Sequence, residues 1–142
     1  MPKIAHISDT HIPTIKRHDE YRQVFEQIYT KLREEKVDYI VHTGDLFHTK
    51  LQLTPESVTL AVEFLKNLGS IAPVYIIAGN HDTNLRNNRR LDSISPIVEA
   101  ISNNWITYLK DSGPLYLKDM VLNVLSIFDR DNWVSFKEVE HK

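Results

Sequence analysis

The stretch that decides the fold is residues 74–82, Val-Tyr-Ile-Ile-Ala-Gly-Asn-His-Asp. Its first four residues are apolar or aromatic and largely β-branched, which predicts a buried strand. Its last four, Gly79 to Asp82, place an amide, an imidazole and a carboxylate on the turn that ends this strand. An Asn oxygen ligates hard metal ions, a His donates a proton, and an Asp can hold that His in one tautomer. The segment therefore predicts a polar site where a buried strand reaches solvent.

Two earlier segments have the same organisation. Residues 3–7 predict a first strand that ends in Ser8-Asp9-Thr10-His11, and residues 38–43 predict a second that ends in Gly44-Asp45-Leu46-Phe47-His48. Apolar residues at helical spacing follow each of these strand ends. The predicted helices run from Glu20 to Glu35, from Thr54-Pro55 to Gly69, and from Ser95-Pro96 to just before Asn103-Asn104.

Alternating strands and helices predict an α/β fold, in which helices flank a mainly parallel sheet and the crossovers are right-handed. Further strands are expected over residues 105–109, 115–117 and 121–127. Ligands of such sheets bind outside the carboxyl ends of the strands. The topology should therefore gather the polar strand-end residues on one rim, although they lie far apart in sequence: Asp9, His11, Asp45, Asn80 and His81.

This set of side chains predicts a divalent metal site. Carboxylate, imidazole and amide oxygen suit manganese, iron or zinc. Asp9 and His11 reach one ion together if the backbone there is extended, and Asp45 has two oxygens with which to bridge to a second ion held by Asn80. Two ions about 3.5–4 Å apart form a clamp for phosphoester hydrolysis. His81 is then the expected proton donor or transition-state stabiliser.

The residues around this rim predict further roles. Asp82 is the natural group to orient His81, so both are expected to be catalytic. Basic residues lie in loops at the same rim and are expected to attract phosphates even though the net charge is −2. They are Lys16, Arg17, Lys50, Arg86, Arg89 and Arg90. His6 and His42 lie inside strands and are expected to be core residues or to support the site.

Composition limits the class of protein. The 142 residues, 42% of them hydrophobic, suit one compact domain over residues 1–142. The absence of cysteine excludes a disulfide framework and a thiolate metal site. The first residues enter a strand rather than a signal peptide, and no apolar run approaches membrane-spanning length. We expect a cytoplasmic or viral-replication setting, no secretion and no membrane partner.

Three motifs together, Asp9-Thr10-His11, Gly44-Asp45 and Gly79-Asn80-His81-Asp82, resemble the calcineurin-like metallophosphoesterase superfamily. The longer second motif, Gly44 to His48, is similar to that of the SbcD-type nucleases of DNA double-strand-break repair, including phage and viral relatives. The resemblance covers nearly the whole chain in order and spacing. It implies a metallophosphoesterase-like β-sheet core, of which this chain supplies the βαβαβ first half of an α/β sandwich.

The resemblance also implies function. It implies a two-metal, usually manganese-dependent, exonuclease or endonuclease acting on DNA in repair or recombination. Such nucleases partner an SbcC-type ABC ATPase with long coiled coils and dimerise, here through residues 54–68 and 96–101. Carried over by motif, Asp9 and His11 are ligands of the first ion, Asp45 is the bridge, Asn80 is a ligand of the second and His81 is the catalytic histidine. His48 would lie near the DNA path, so the expected substrate-binding residues are His48, Arg86, Arg89 and Arg90.

The chain departs from the family pattern in one respect. The family site also uses a later strand-end His and a final His-x-His pair, whereas His141 is the single histidine after His81. His141 does not end an apolar strand and is not assigned. We therefore expect an N-terminal piece of a longer nuclease, which binds metal weakly and hydrolyses poorly by itself.

Two alternatives to a DNA nuclease remain at this point. The first keeps the metal chemistry but takes a small phosphomonoester, a cyclic nucleotide or a phosphoprotein as substrate. The second is a non-catalytic module that dimerises or docks an ATPase. Phe47-His48 and the basic loops favour DNA without deciding between the three.

Overall fold

Four parallel strands form the central sheet of the computed structural model, which describes residues 1–86 and 90–140. Their spatial order equals their chain order. Strand-helix-strand units connect them throughout, as the alternation predicts, so the α/β fold is confirmed. The strands are β1 (Ile4–Ile7), β2 (Tyr39–His42), β3 (Val74–Ile76) and β4 (Ile106–Tyr108).

Three helices make the crossovers: α1 (His18–Glu35), α2 (Pro55–Gly69) and α3 (Ser95–Ile101). The Thr54 hydroxyl caps α2 by accepting the Ser57 N–H at 3.1 Å, and the Ser57 hydroxyl oxygen accepts the Thr54 N–H at 3.0 Å. This reciprocal pair satisfies two N–H groups that a helix end leaves without partners. It explains why the second helix starts where its sequence predicts.

The core lies between one face of the sheet and the helices. The register pairs Ile40 with Val74 and His42 with Ile76, which places these four side chains on one face. All four are completely buried, and Phe64 of α2 is buried with them. The opposite face, which carries Tyr39, is only half-buried.

The last third of the chain departs from the strand-helix alternation. Strands β5 (Gly113–Tyr116) and β6 (Val121–Val124) form an antiparallel hairpin, and two short 3₁₀ turns at Arg130–Asn132 and Phe136–Glu138 follow. The Tyr39 hydroxyl donates to Asp119 at 2.6 Å and ties this hairpin to the sheet.

The sequence-based boundaries differ from the structure in a few places. The strand expected at 105–109 becomes β4, a fourth parallel strand, so the βαβαβ pattern continues one unit further. Gly113 and Pro114 belong to strand β5 and not to the turn that their residue types suggest. Among the described residues, none of the helices combines the length and apolarity that a bilayer span requires.

Candidate metal centre

The three polar loops that follow β1, β2 and β3 lie at one edge of the sheet. We call residues 8–12, 43–48 and 79–82 the strand-end loops. Backbone hydrogen bonds join the first two of them beyond the strands themselves. The N–H groups of Asp9, His11 and Ile12 donate to the carbonyl oxygens of Gly44, Asp45 and Leu46, at 3.0, 3.0 and 2.9 Å.

This pairing brings three predicted metal ligands together. Asp9, His11 and Asp45 each offer one ligand atom, and these atoms all lie within 4.8 Å of one another. His11 Nε2 is 3.4 Å from Asp9 Oδ1 and 3.8 Å from Asp45 Oδ2. The geometry is that expected from parallel strands, while the role of these residues as ligands stays a prediction.

The backbone at these three residues is left-handed. The φ angles of Asp9, His11 and Asp45 are 54°, 45° and 54°. The expectation that Asp9 and His11 converge through extended backbone is therefore wrong. Non-glycine residues rarely adopt positive φ, and such conformations concentrate at functional sites where the surrounding structure enforces them.

Close contact between the second and third loops supplies part of that enforcement. Gly44 has a φ of 105°, and a Cβ there would overlap the backbone of Gly79. In turn, a Cβ at Gly79 would overlap the Asp45 carboxylate and lie 2.5 Å from the Asp45 nitrogen. The two loops can approach this closely only because both positions are glycine.

Asp82 does not orient His81, contrary to the sequence-based prediction. Its carboxylate is fully buried, and both oxygens accept backbone N–H groups instead. Oδ2 accepts from Asp45 at 2.7 Å and Gly79 at 2.9 Å, and Oδ1 accepts from Leu46 at 3.0 Å and Phe47 at 3.3 Å. Burial raises the pKa of Asp82 to about 6, although the backbone donors oppose this shift.

A carbonyl group orients His81 instead. Its Nδ1 lies 2.9 Å from the carbonyl oxygen of His48, which requires a proton on Nδ1. The His81 ring meets that of His11 edge-on, with centroids 5.1 Å apart, and the His48 ring lies 6.3 Å from it. Three imidazoles thus adjoin the carboxylates at the edge of the sheet.

A cleft of 260 Å³ opens beside His81 and is lined by Asn80, His48 and Lys50, among others. The Lys50 ammonium lies 3.4 Å from the carbonyl oxygen of Asn80. Asn80 is exposed in this cleft, and its role at a second ion stays a prediction. A cation beside an imidazole suits a phosphate group bound in the cleft.

The predicted basic rim is only partly described. Arg86 and Arg90 are exposed in the loop that follows Asp82, whereas Arg89 lies outside the described residues. Arg17 donates to the Glu20 carboxylate at 2.7 Å and is thereby partly neutralised. The assignment of His48, Arg86, Arg89 and Arg90 to substrate binding stays a prediction.

Beneath the site, His42 supports the first two loops, in keeping with its expected supporting role. It is fully buried; its Nδ1 accepts the Gly44 N–H at 3.2 Å and its Nε2 lies 3.4 Å from the Thr10 hydroxyl. The Thr10 hydroxyl donates to the Leu46 carbonyl at 3.0 Å. The Thr10 oxygen can therefore accept a hydrogen bond from the protonated Nε2 of a neutral His42 ring. Burial lowers the pKa of His42 to about 4, which keeps the ring neutral.

The donor set fits a divalent cation. A hydrogen bond from the Ser8 hydroxyl lowers the pKa of Asp9, and the nearby His11 ring contributes in the same direction, so the carboxyl is anionic at neutral pH. Within the described residues, the buried Nδ1 of His11 has no hydrogen-bond partner, and Nε2 faces the two carboxylates. Two carboxylates and one imidazole are donors that manganese, iron and zinc accept.

The fold and this site define the class of the protein. A family model described as calcineurin-like phosphoesterase matches residues 2–140, so the chain belongs to the calcineurin-like phosphoesterase family. The predicted family resemblance is confirmed. This family comprises phosphoester hydrolases that use divalent metals.

The chain is also similar to individual proteins. The uncharacterized protein R555 of Acanthamoeba polyphaga mimivirus is 43% identical over 135 residues, covering 90% of this chain and 10% of that protein. The DNA double-strand break repair protein Mre11 of Saccharolobus solfataricus is 35% identical over 89 residues, covering 58% of this chain and 23% of that protein. Mre11 of Archaeoglobus fulgidus is 34% identical over 94 residues, covering 59% of this chain and 20% of that protein. The chain thus spans a quarter or less of the length of these relatives.

Proposed function

We propose that this protein is a metal-dependent phosphodiesterase that cleaves DNA, as exonuclease or endonuclease, in repair or recombination. One observation carries the proposal. Three anionic or imidazole donors, from Asp9, His11 and Asp45, converge within 4.8 Å, and the His81 ring lies beside them. A divalent cation with a neighbouring imidazole is a recurrent arrangement for hydrolysing phosphoesters.

The metal-binding residues divide between two ions in this proposal. Asp9, His11 and Asp45 would hold the first ion, Asp45 and Asn80 would hold the second, and manganese is the expected metal. Bound ions supply an activated water and neutralise the charge of the phosphoryl group. Asp45 suits the shared position because its second oxygen faces His11 while its first accepts the His81 N–H at 2.9 Å.

His81 would donate a proton to the leaving oxygen or stabilise its developing charge. The bond between Nδ1 and the His48 carbonyl oxygen fixes the orientation of the ring. Nε2 is then the nitrogen available to the substrate. Lys50, which lines the same cleft, would attract the phosphate without taking part in proton transfer.

DNA as the substrate is supported by the relatives and by the rim. Two of the relatives carry the name of a DNA double-strand break repair protein. His48 lines the cleft, and the exposed Arg86 and Arg90 follow the third strand-end loop, so together with Arg89 they would contact successive phosphates. Action on DNA would place the protein in the cytoplasm or a viral replication compartment.

The partners are part of the same proposal. An SbcC-type ABC ATPase with coiled coils would act with this nuclease, and two copies would pair through α2 and α3. Equilibrium sedimentation of the purified protein tests the pairing, and co-purification with such an ATPase tests the other interaction. A monomer at all concentrations would contradict the homodimer.

The metal site is tested by titrating manganese calorimetrically into the purified protein. We expect binding that Asp45→Asn abolishes and that His6→Ala, which changes an exposed histidine of β1, leaves intact. Weak manganese-dependent cleavage of single- and double-stranded DNA should accompany binding and be lost in His81→Ala. Unchanged cleavage in His81→Ala would refute the role given to this residue.

The same assays separate the two other functions. Hydrolysis of bis-p-nitrophenyl phosphate without cleavage of either DNA would indicate a small phosphoester substrate. A stable dimer that binds no manganese would indicate a non-catalytic module. Robust DNA cleavage by these 142 residues would instead contradict the expectation that the chain hydrolyses poorly by itself.

A further inference from the structure

The second and third strand-end loops each bind the other through a carboxylate. Asp82 of the third loop accepts the Asp45 N–H at 2.7 Å, and Asp45 of the second loop accepts the His81 N–H at 2.9 Å. The two carboxylates differ in environment. Asp82 is completely buried, whereas Asp45 keeps part of its side chain open to the metal centre.

We propose that Asp82 is a positioning residue that holds the second strand-end loop in its left-handed conformation and so aims the Asp45 carboxylate at the metal centre. The inference rests on the proposed function for its metal. It assigns to Asp82 a task different from the orientation of His81.

Three consecutive backbone N–H groups converge on one carboxylate. Those of Asp45, Leu46 and Phe47 all donate to the Asp82 carboxylate. Successive N–H groups converge in this way when a left-handed residue makes the chain concave, and such concave segments bind anions. Asp45, with its φ of 54°, is that left-handed residue.

An anion is needed for this task because every partner is a donor. Asp82 receives four N–H groups in a site from which water is excluded. An asparagine there would have the same shape but would point its own N–H₂ group at two of the donors. Unpaired buried donors lose the solvation they have in the unfolded chain, so the loop would open to recover it.

A second buried carboxylate provides the matched control. Asp92 accepts the Ile94 and Ser95 N–H groups at 2.9 and 2.7 Å and the Tyr108 hydroxyl at 3.0 Å. It is nearly as buried as Asp82, but its partners belong to the start of α3, to β4 and to Lys110, whose ammonium lies 3.5 Å from Asp92 Oδ2. Asp92→Asn therefore imposes the same chemical change away from the Asp45 loop.

The experiment compares Asp82→Asn and Asp92→Asn by manganese calorimetry and by amide hydrogen exchange. In Asp82→Asn we expect manganese affinity to fall about 10- to 100-fold, as for other residues that orient a ligand. The Asp45, Leu46 and Phe47 amides should exchange at least about tenfold faster, with Ile40 and Ile76 unchanged. Asp92→Asn should retain both the affinity and the protection of the Asp45 loop.

Three outcomes would overturn the inference. Unchanged manganese affinity in Asp82→Asn, or an equal loss in Asp92→Asn, would remove the special link to Asp45. If Asp82→Asn fails to fold while Asp92→Asn folds, Asp82 stabilises the whole fold and not the Asp45 loop in particular. If the unsubstituted protein binds no manganese, the proposed function fails, and the amide exchange still decides whether Asp82 holds the loop.

Discussion

The central sheet with its strand-end loops and the hairpin with its tail are stabilised in different ways. On the sheet side, Phe47 and Phe64 are completely buried. Between residues 113 and 140 the described side chains bury little apolar surface, and Trp133 remains 53% exposed. The candidate metal ligands with left-handed backbone therefore lie on the sheet side, where the packing is dense enough to hold them.

The first prediction tests this difference in packing and carries the largest expected effect. Phe64→Ala should lower the free energy of unfolding by about 3–5 kcal/mol, because it removes a buried ring that stacks on Phe25 at 4.1 Å. Trp133→Ala should cost less than about 1 kcal/mol. Urea unfolding followed by circular dichroism measures both, and equal losses would show that the two regions are packed alike.

The second prediction concerns the pH dependence of the free energy of unfolding, to which the buried His42 ring on the sheet side contributes. The unfolded chain protonates this ring near pH 6.5 and the folded chain near pH 4, so the unfolded state binds more protons between these values. By itself, His42 should lower the free energy of unfolding by up to about 3 kcal/mol as the pH falls from 6.5 to 4, whereas Asp82, whose pKa is raised to about 6, acts in the opposite direction over part of this range. The measurement is urea unfolding without metal at several pH values.

His42→Asn should remove this part of the acid sensitivity, whereas His6→Asn, at an exposed position of the neighbouring strand, should retain it. An acid response in His42→Asn as steep as that of the unsubstituted protein would assign the loss to other groups.

The third prediction compares two glycines and has the smallest expected effect on stability. Gly79→Ala forces a Cβ into the Asp45 carboxylate. It should lower the free energy of unfolding by about 1–3 kcal/mol and abolish manganese binding. Gly113→Ala meets no atom within 4 Å, so only its φ of 125° is unfavourable, at about 1 kcal/mol. Calorimetry should show normal manganese binding in Gly113→Ala; its loss there would mean that the hairpin supports the site.

Part of the site follows from sequence because it depends on topology. Asp9 and Asp45 end neighbouring parallel strands, and the carboxyl ends of such strands meet at one edge whatever the details of the loops. His42 is buried beneath the site, as its place within a strand predicts, whereas His6, for which the same is predicted, is exposed. Residue type and strand order are sufficient to predict that the strand ends meet, but not to predict the burial of each residue within a strand.

The partner of Asp82 could not be predicted, for a physical reason. Its neighbour in sequence, His81, suggested a side-chain contact, but the carboxylate meets backbone N–H groups of a loop 35–37 residues away. Backbone donors are the same in every residue, so no sequence pattern marks them. The left-handed φ of Asp9 is hidden likewise, because a neighbouring loop enforces it.

The mutual exchange between Asp45 and Asp82 has a consequence for any effort to redesign this protein. Each carboxylate satisfies the backbone of the segment that carries the other, so neither segment can be transplanted or randomised by itself. A library aimed at new metal preference should vary both segments jointly and keep Gly44 and Gly79, whose missing side chains give the pair its room.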